Sequence, residues 1–201
     1  MWSVVVVAIS GSLVLACPAA HAAAEVRVQA GSFVYTMRPD GMTAESWVNR
    51  AAGTRLSLGH GSELEVETGD SPESPTRVVL EPDGAPEVAR DGGMVVVRLR
   101  SADGLLAAAV TYVADAEWPV MRKSVTLSNV GKAPIRLLSV VLGRYAVGNA
   151  QLEGGERGFP LYIDQRYFLS LAHPAGFAHA EGREMVLRQY PGATPPSRSP
   201  R

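Results

Sequence analysis

The sequence predicts an all-β protein, an antiparallel β-sandwich, and three observations carry that reading. Apolar residues recur with period two in short segments, as in Val26, Val28 and Ala30, where alternate side chains share one face of a strand. Four Asp-Gly pairs, at 40–41, 83–84, 91–92 and 103–104, punctuate the chain with a dipeptide that tolerates the positive φ of tight reversals. Beyond the first two dozen residues, no segment keeps the i, i+3, i+4, i+7 spacing of an amphipathic helix over ten positions.

Taken in order, Met1 to Ala24 holds no Asp, Glu, Lys or Arg. Its apolar run Val4–Cys17 is shorter than the roughly 20 residues a spanning helix needs. Ala20-His21-Ala22 has the small-x-small form of a signal-peptidase site, so residues 1–22 read as a cleaved signal peptide. No Lys or Arg precedes the run, which departs from the usual pattern. Val14-Leu15-Ala16-Cys17 offers an alternative as a lipobox, with Cys17 lipidated and anchoring the protein to the membrane. Either route exports the protein, to the periplasm or the extracellular space. Cys17 is also the only cysteine, so no intrachain disulfide is expected.

The domain is expected over residues 25–190. Leu56 and Leu58 alternate with polar neighbours, and Leu64 and Val66 interleave with Glu63, Glu65 and Glu67, which read as a solvated sheet face. Met94–Arg100 is a strand ending at the Asp103-Gly104 turn. Leu105–Ala109 has helix propensity, but it runs into Val110-Thr111-Tyr112-Val113 between two reversals and reads as strand. Strands follow at Ser124–Leu127 and Ile135–Leu142. After Gly148 the chain becomes polar and glycine-rich. Asp164-Gln165 then turns a hairpin with arms Leu161–Ile163 and Tyr167–Ala172, and the last strand is Glu184–Tyr190. Residues 191–201 hold four prolines without apolar periodicity and read as a disordered tail.

The composition excludes some function classes. With 46% hydrophobic and 19% charged residues the chain is too apolar for wholesale disorder. A net charge of −1 gives no electrostatic footprint for nucleic acid. His60, His173 and His179 lack a metal-ligand spacing, so no metal and no cofactor is expected. Gly131-Lys132-Ala133 lacks the upstream glycine and the hydroxyl residue of a phosphate loop. Asp115 and Glu117, flanking Trp118-Pro119, are the one nearby carboxylate pair that suggests glycosidase chemistry, although adjacent carboxylates in a turn are ordinarily just solvated. Trp47, Trp118, Tyr162 and Tyr167 supply aromatic surface on which sugar rings stack, against the commoner use of such residues in packing. Trp118, Tyr162, Asp164 and Tyr167 are the expected carbohydrate contacts, and no catalytic residue is expected.

The block Val110–Leu137, with Trp118-Pro119-Val120-Met121-Arg122-Lys123 opening a strand and Asn129-Val130-Gly131-Lys132 turning the next, resembles one known domain. It is similar to the N-terminal, galactose-mutarotase-like supersandwich of secreted glycoside hydrolases of the α-galactosidase and α-N-acetylgalactosaminidase type. Gly158-Phe159-Pro160-Leu161-Tyr162 and Phe168-Leu169-Ser170-Leu171-Ala172-His173-Pro174-Ala175 match patterns of the same domains. The resemblance implies a catalytic barrel after the supersandwich and a sandwich loop, here Gly154–Tyr167, beside the sugar pocket. No residue matches a catalytic motif. The expectation is therefore an exported, non-catalytic portion of a glycoside-hydrolase-like protein, a truncated fragment lacking its barrel. The alternative is a standalone secreted carbohydrate-binding module, and a third reading is a small mutarotase using His173.

Overall fold

The computed structural model describes residues 25–155, 159–171 and 176–191. The signal peptide, Cys17, His173 and all but the first residue of the proline-rich tail lie outside them. The described chain is all-β, and its strands pair antiparallel in every case.

Strands β1 (Val26–Ala30), β2 (Phe33–Met37), β3 (Ala44–Asn49) and β4 (Thr54–Ser57) form a meander in chain order. Next come β5 (Gly59–Ser62), β6 (Glu65–Thr68), β7 (Thr76–Val78), β8 (Leu80–Pro82) and β9 (Glu87–Val88). The long strands are β10 (Met94–Ser101), β11 (Leu106–Ala114), β12 (Met121–Asn129) and β13 (Leu137–Ala146). The last are β14 (Leu152–Gly154), β15 (Leu161–Ile163), β16 (Tyr167–Leu169), β17 (Gly176–Glu181) and β18 (Glu184–Gln189). They fall into four sheets. The second runs β12-β11-β10-β8 with β9 also on β10, and the third runs β17-β18-β13-β6-β7 with β5 on β13. The fourth is the small sheet β14-β15-β16.

The turn chemistry explains the reversals. Gly41, Gly84, Gly92 and Gly104, the second members of the four Asp-Gly pairs, all take positive φ, where a Cβ costs energy and glycine does not. Asp164 and Gln165 also take positive φ, 49° and 55°, and Arg166 N–H closes the turn on Ile163 O at 3.0 Å. That hairpin joins β15 to β16 where the sequence places it. The stretch 106–114 is strand, as Val110–Val113 argues.

Period two then builds the core. Val95, Val97 and Leu99 of β10 and Ala108, Val110 and Tyr112 of β11 point inward and are buried, while their neighbours Arg98 and Arg100 are exposed. In the third sheet β13 is central, and β5 crosses it with a register irregularity between Arg144 and Ala146. Gly61 lies in that irregularity. A methyl group there would overlap the Arg144 carbonyl oxygen and sit 3.0 Å from the Tyr145 ring. Gly61→Ala is expected to lower stability by about 1–3 kcal/mol, read as a shift in the urea midpoint with unchanged slope.

Candidate functional site

Two places gather chemically capable side chains, one sealed and one open. The sealed one centres on Glu63, which is 0% exposed. It is not part of a solvated face with Glu65 and Glu67. A bend between β5 and β6 breaks the alternation, so Glu63 and Leu64 are both buried in succession. Its carboxylate accepts hydrogen bonds from Tyr35, from Tyr112 at 2.7 Å and from Tyr145 at 3.2 Å. Lys123 Nζ completes the group, 2.5 Å from Glu63 Oε2 and 2.5 Å from its carbonyl oxygen. Tyr35 comes from the first sheet, Tyr112 and Lys123 from the second, and Tyr145 from the third. One carboxylate thus joins three sheets. Burial pushes all three phenols well above ordinary tyrosine, and the Glu63 charge adds to the shift. Burial also lowers the Lys123 ammonium below ordinary lysine, against the opposing pull of Glu63.

The other two glutamates have partners as well. Glu65 pairs with Arg144 and Arg77, each at 3.4 Å, and Glu67 accepts from Ser139. Arg144 also binds Glu181 at 2.8 Å and Glu184 at 2.9 Å, and its hydrogen bond holds the Glu181 carboxyl below its ordinary value. Among the described residues no three His, Cys, Asp or Glu side chains are placed to hold a metal ion. His179 bonds Glu181 at 2.8 Å.

The open place is the small fourth sheet and the cleft beside it. Its inner face, with Leu161, Ile163 and Leu169, is buried. Its outer face carries Tyr162 and Phe168, direct cross-strand partners that are 46% and 55% exposed. Glu153 stands on the other side of Tyr162 in the same register and accepts from Gln151 Nε2 at 2.7 Å. Phe159 is exposed just before β15. The sequence does not single out Phe168, because its pairing with Tyr162 depends on the hairpin register.

Asp164 lies at the end of the hairpin. Its Oδ1 accepts Gln151 N–H at 2.7 Å and its own N–H donates to Gln151 O at 2.9 Å, which fastens the fourth sheet to the β13–β14 connection. It also lines an open cleft of about 600 Å³ with Leu56, Ser57, Gly59 and residues 146–150. A shallower cleft of about 340 Å³ shares Gly148, Asn149 and Ala150 and reaches Arg183, whose guanidinium donates to Asn149 Oδ1 at 3.1 Å. Asp164 thus lines the larger cleft and Arg183 the smaller, with Asn149 common to both.

Tyr167 faces the other way from Tyr162. It is half-buried, with its ring 6.3 Å from that of Trp47 and its hydroxyl on Thr54 Oγ1 at 2.9 Å, so it anchors the hairpin to β4. Trp47 is buried among Tyr35, Tyr145 and Tyr167. Trp118 is 66% exposed in the β11–β12 connection. Asp115 Oδ1 accepts the amides of Glu117 and Trp118, each at 3.0 Å, and those bonds hold the Asp115 carboxyl below its ordinary value. Asp115 therefore shapes the loop that presents Trp118.

The described residues define an all-β protein with a sealed carboxylate–tyrosine junction and an exposed aromatic pair on one face of its small fourth sheet. No known protein family, no curated protein and no solved structure matches this chain.

Proposed function

We propose that this chain is the exported, non-catalytic β-sandwich portion of a glycoside-hydrolase-like protein and that it contacts carbohydrate. The observation that carries the carbohydrate contact is the Tyr162–Phe168 pair, two exposed rings side by side on one sheet face with Glu153 next to them. Aromatic faces cover the C–H faces of a sugar, while flanking polar groups meet its hydroxyls. Glycoside cleavage calls for two carboxylates flanking the scissile bond. Two carboxylates of the described residues have structural tasks instead. Glu63 is sealed from solvent, and Asp115 is engaged by its own loop. Export rests on the apolar leader before Ala22, with lipidation at Cys17 as the other route. The glycoside-hydrolase association rests on the resemblance of the Val110–Leu137 block. The same rings equally suit a standalone carbohydrate-binding module, which differs in needing no catalytic partner.

Affinity electrophoresis and calorimetry against a panel of plant and microbial polysaccharides test the contact. The wild type is expected to bind at least one glycan. Removing each ring, as in Tyr162→Ala and Phe168→Ala, is expected to weaken that binding about tenfold, with the thermal midpoint unchanged. A wild type that binds none of the panel, or a double variant that binds as well as wild type, overturns the reading. Trp118→Ala separates a contribution of the β11–β12 loop from that of the fourth sheet.

A further inference from the structure

Strand β12 is the free end of the second sheet. All nine of its residues pair with β11 in one unbroken register, and among the described residues no strand pairs its other edge. Natural edges of this length are usually blunted by a bulge, a proline or a charge. Met121–Asn129 contains no bulge and no proline, and its two charges are Arg122 on the solvent face and Lys123, which is taken up by Glu63.

Hydrogen-bond parity shows which backbone groups face outward. Asp115 N–H donates to Val120 O and Val130 N–H donates to Leu105 O, both at 2.8 Å, just beyond the two ends of the ladder. Ala114 N–H points the other way, to Gly93 O at 2.8 Å. Bonded and non-bonded pairs alternate in an antiparallel ladder. The even-numbered residues Arg122, Ser124, Thr126 and Ser128 therefore bond β11, and the odd-numbered residues Met121, Lys123, Val125, Leu127 and Asn129 direct their N–H and C=O groups to the open edge. The side chains of Met121, Val125 and Leu127 pack on the core yet stay only partly buried, so the edge leaves apolar surface uncovered as well.

We propose that two copies of this chain associate by antiparallel pairing of β12 with β12 about a two-fold axis at Val125. Overlapping the full strand with itself sets Met121 against Asn129, Lys123 against Leu127 and Val125 against Val125. Every outward residue then meets an outward residue, as ladder bonding requires. On the solvent face Arg122 meets Ser128 and Ser124 meets Thr126, so no like charges oppose one another. Lys123 stays on Glu63 and presents no free charge to the joint. Sliding the register to bring Lys123 against its own copy shortens the ladder and sets two ammonium groups side by side. The strand is its own best complement, which is the condition for an isologous interface.

Sedimentation velocity across the micromolar range, with hydrogen exchange on the same samples, tests this. The sedimenting mass is expected to double with rising concentration. Exchange at Met121, Lys123, Val125, Leu127 and Asn129 is expected to slow in step with dimer formation, while Arg122, Ser124, Thr126 and Ser128 stay protected throughout. Val125→Pro removes an outward N–H and takes no bond from β11, so it is expected to abolish the doubling. A monomer at every concentration overturns the proposal, and so does a dimer whose odd-numbered amides exchange as fast as the monomer's. A folded Val125→Pro variant that still dimerises does the same; where that variant does not fold, the exchange pattern of the unaltered chain decides.

Discussion

Glu63→Gln is expected to cost about 3–5 kcal/mol of folding stability, because it leaves a buried lysine without its counter-charge. The amide keeps one acceptor oxygen but turns an NH2 group toward side chains that are themselves donors: Tyr35, Tyr112, Tyr145 and Lys123. At this chain length a loss of that size lowers the melting temperature by about 6–20 °C. The effect should concentrate in the junction, since Glu63 touches residues of three sheets and its loss loosens all three contacts at once. Glu63→Gln with Lys123→Met removes both charges together and so spares the uncompensated buried lysine that the single variant leaves. The double variant is therefore expected to regain a large part of the loss. Urea denaturation of the two single variants and the double variant closes the cycle. A single variant costing less than about 1 kcal/mol refutes the role assigned to the junction.

The legible parts of this fold were those set by local chemistry. Asp40-Gly41, Asp91-Gly92 and Asp103-Gly104 each mark a reversal because the φ they need is a property of the dipeptide itself. Asp83-Gly84 takes the same positive φ at Gly84 without reversing the chain, because β8 and β9 run on in one direction along the edge of β10. Residues 94–100 and 106–113 are runs of β-branched and apolar residues bounded by turns, and the structure keeps both as neighbouring strands along which burial alternates. Strand β2 is different. Phe33 to Met37 is buried at every position, so it shows no period for a pattern reading to detect. Glu63 was misread for a related reason: alternation extrapolates through Glu63, Glu65 and Glu67, but a single bend at Glu63 and Leu64 shifts the parity and sends the first of them inward. The same limit governs the open site. Tyr162, Asp164 and Tyr167 were visible as residue types, but the outward turn of Tyr162 and the inward turn of Tyr167 follow from the Ile163–Tyr167 register. Asn149 and Arg183 were not visible at all, because they meet across 34 residues. Division of the described strands into four hydrogen-bonded sheets is again a matter of long-range pairing.

Alkaline unfolding provides the second large effect. Tyr35, Tyr112 and Tyr145 are buried, and their phenols are held well above the ordinary value of 10.0 by burial first and by Glu63 second. Above that pH the unfolded chain releases three protons that the folded chain retains, so stability falls as pH rises. The slope approaches about 4 kcal/mol per pH unit when all three stay protonated in the fold, at about 1.4 for each proton. Below pH 10 the same groups are protonated in both states and contribute no slope. Lys123 acts in the opposite sense, since its lowered value makes the unfolded chain the better proton acceptor up to the ordinary lysine value of 10.5. It therefore softens the onset and adds nothing beyond that point. Urea midpoints between about pH 9 and about pH 11 are expected to drop steeply past pH 10, with the tyrosinate absorbance of the three buried phenols rising only as the chain unfolds. Tyr145→Phe removes the longest of the three bonds to Glu63 and should reduce the slope by about one third while leaving Tyr35, Tyr112 and Lys123 in place. A flat stability profile through this range, or tyrosinates of Tyr35, Tyr112 and Tyr145 forming in the folded protein, refutes the buried junction as the source of alkaline sensitivity.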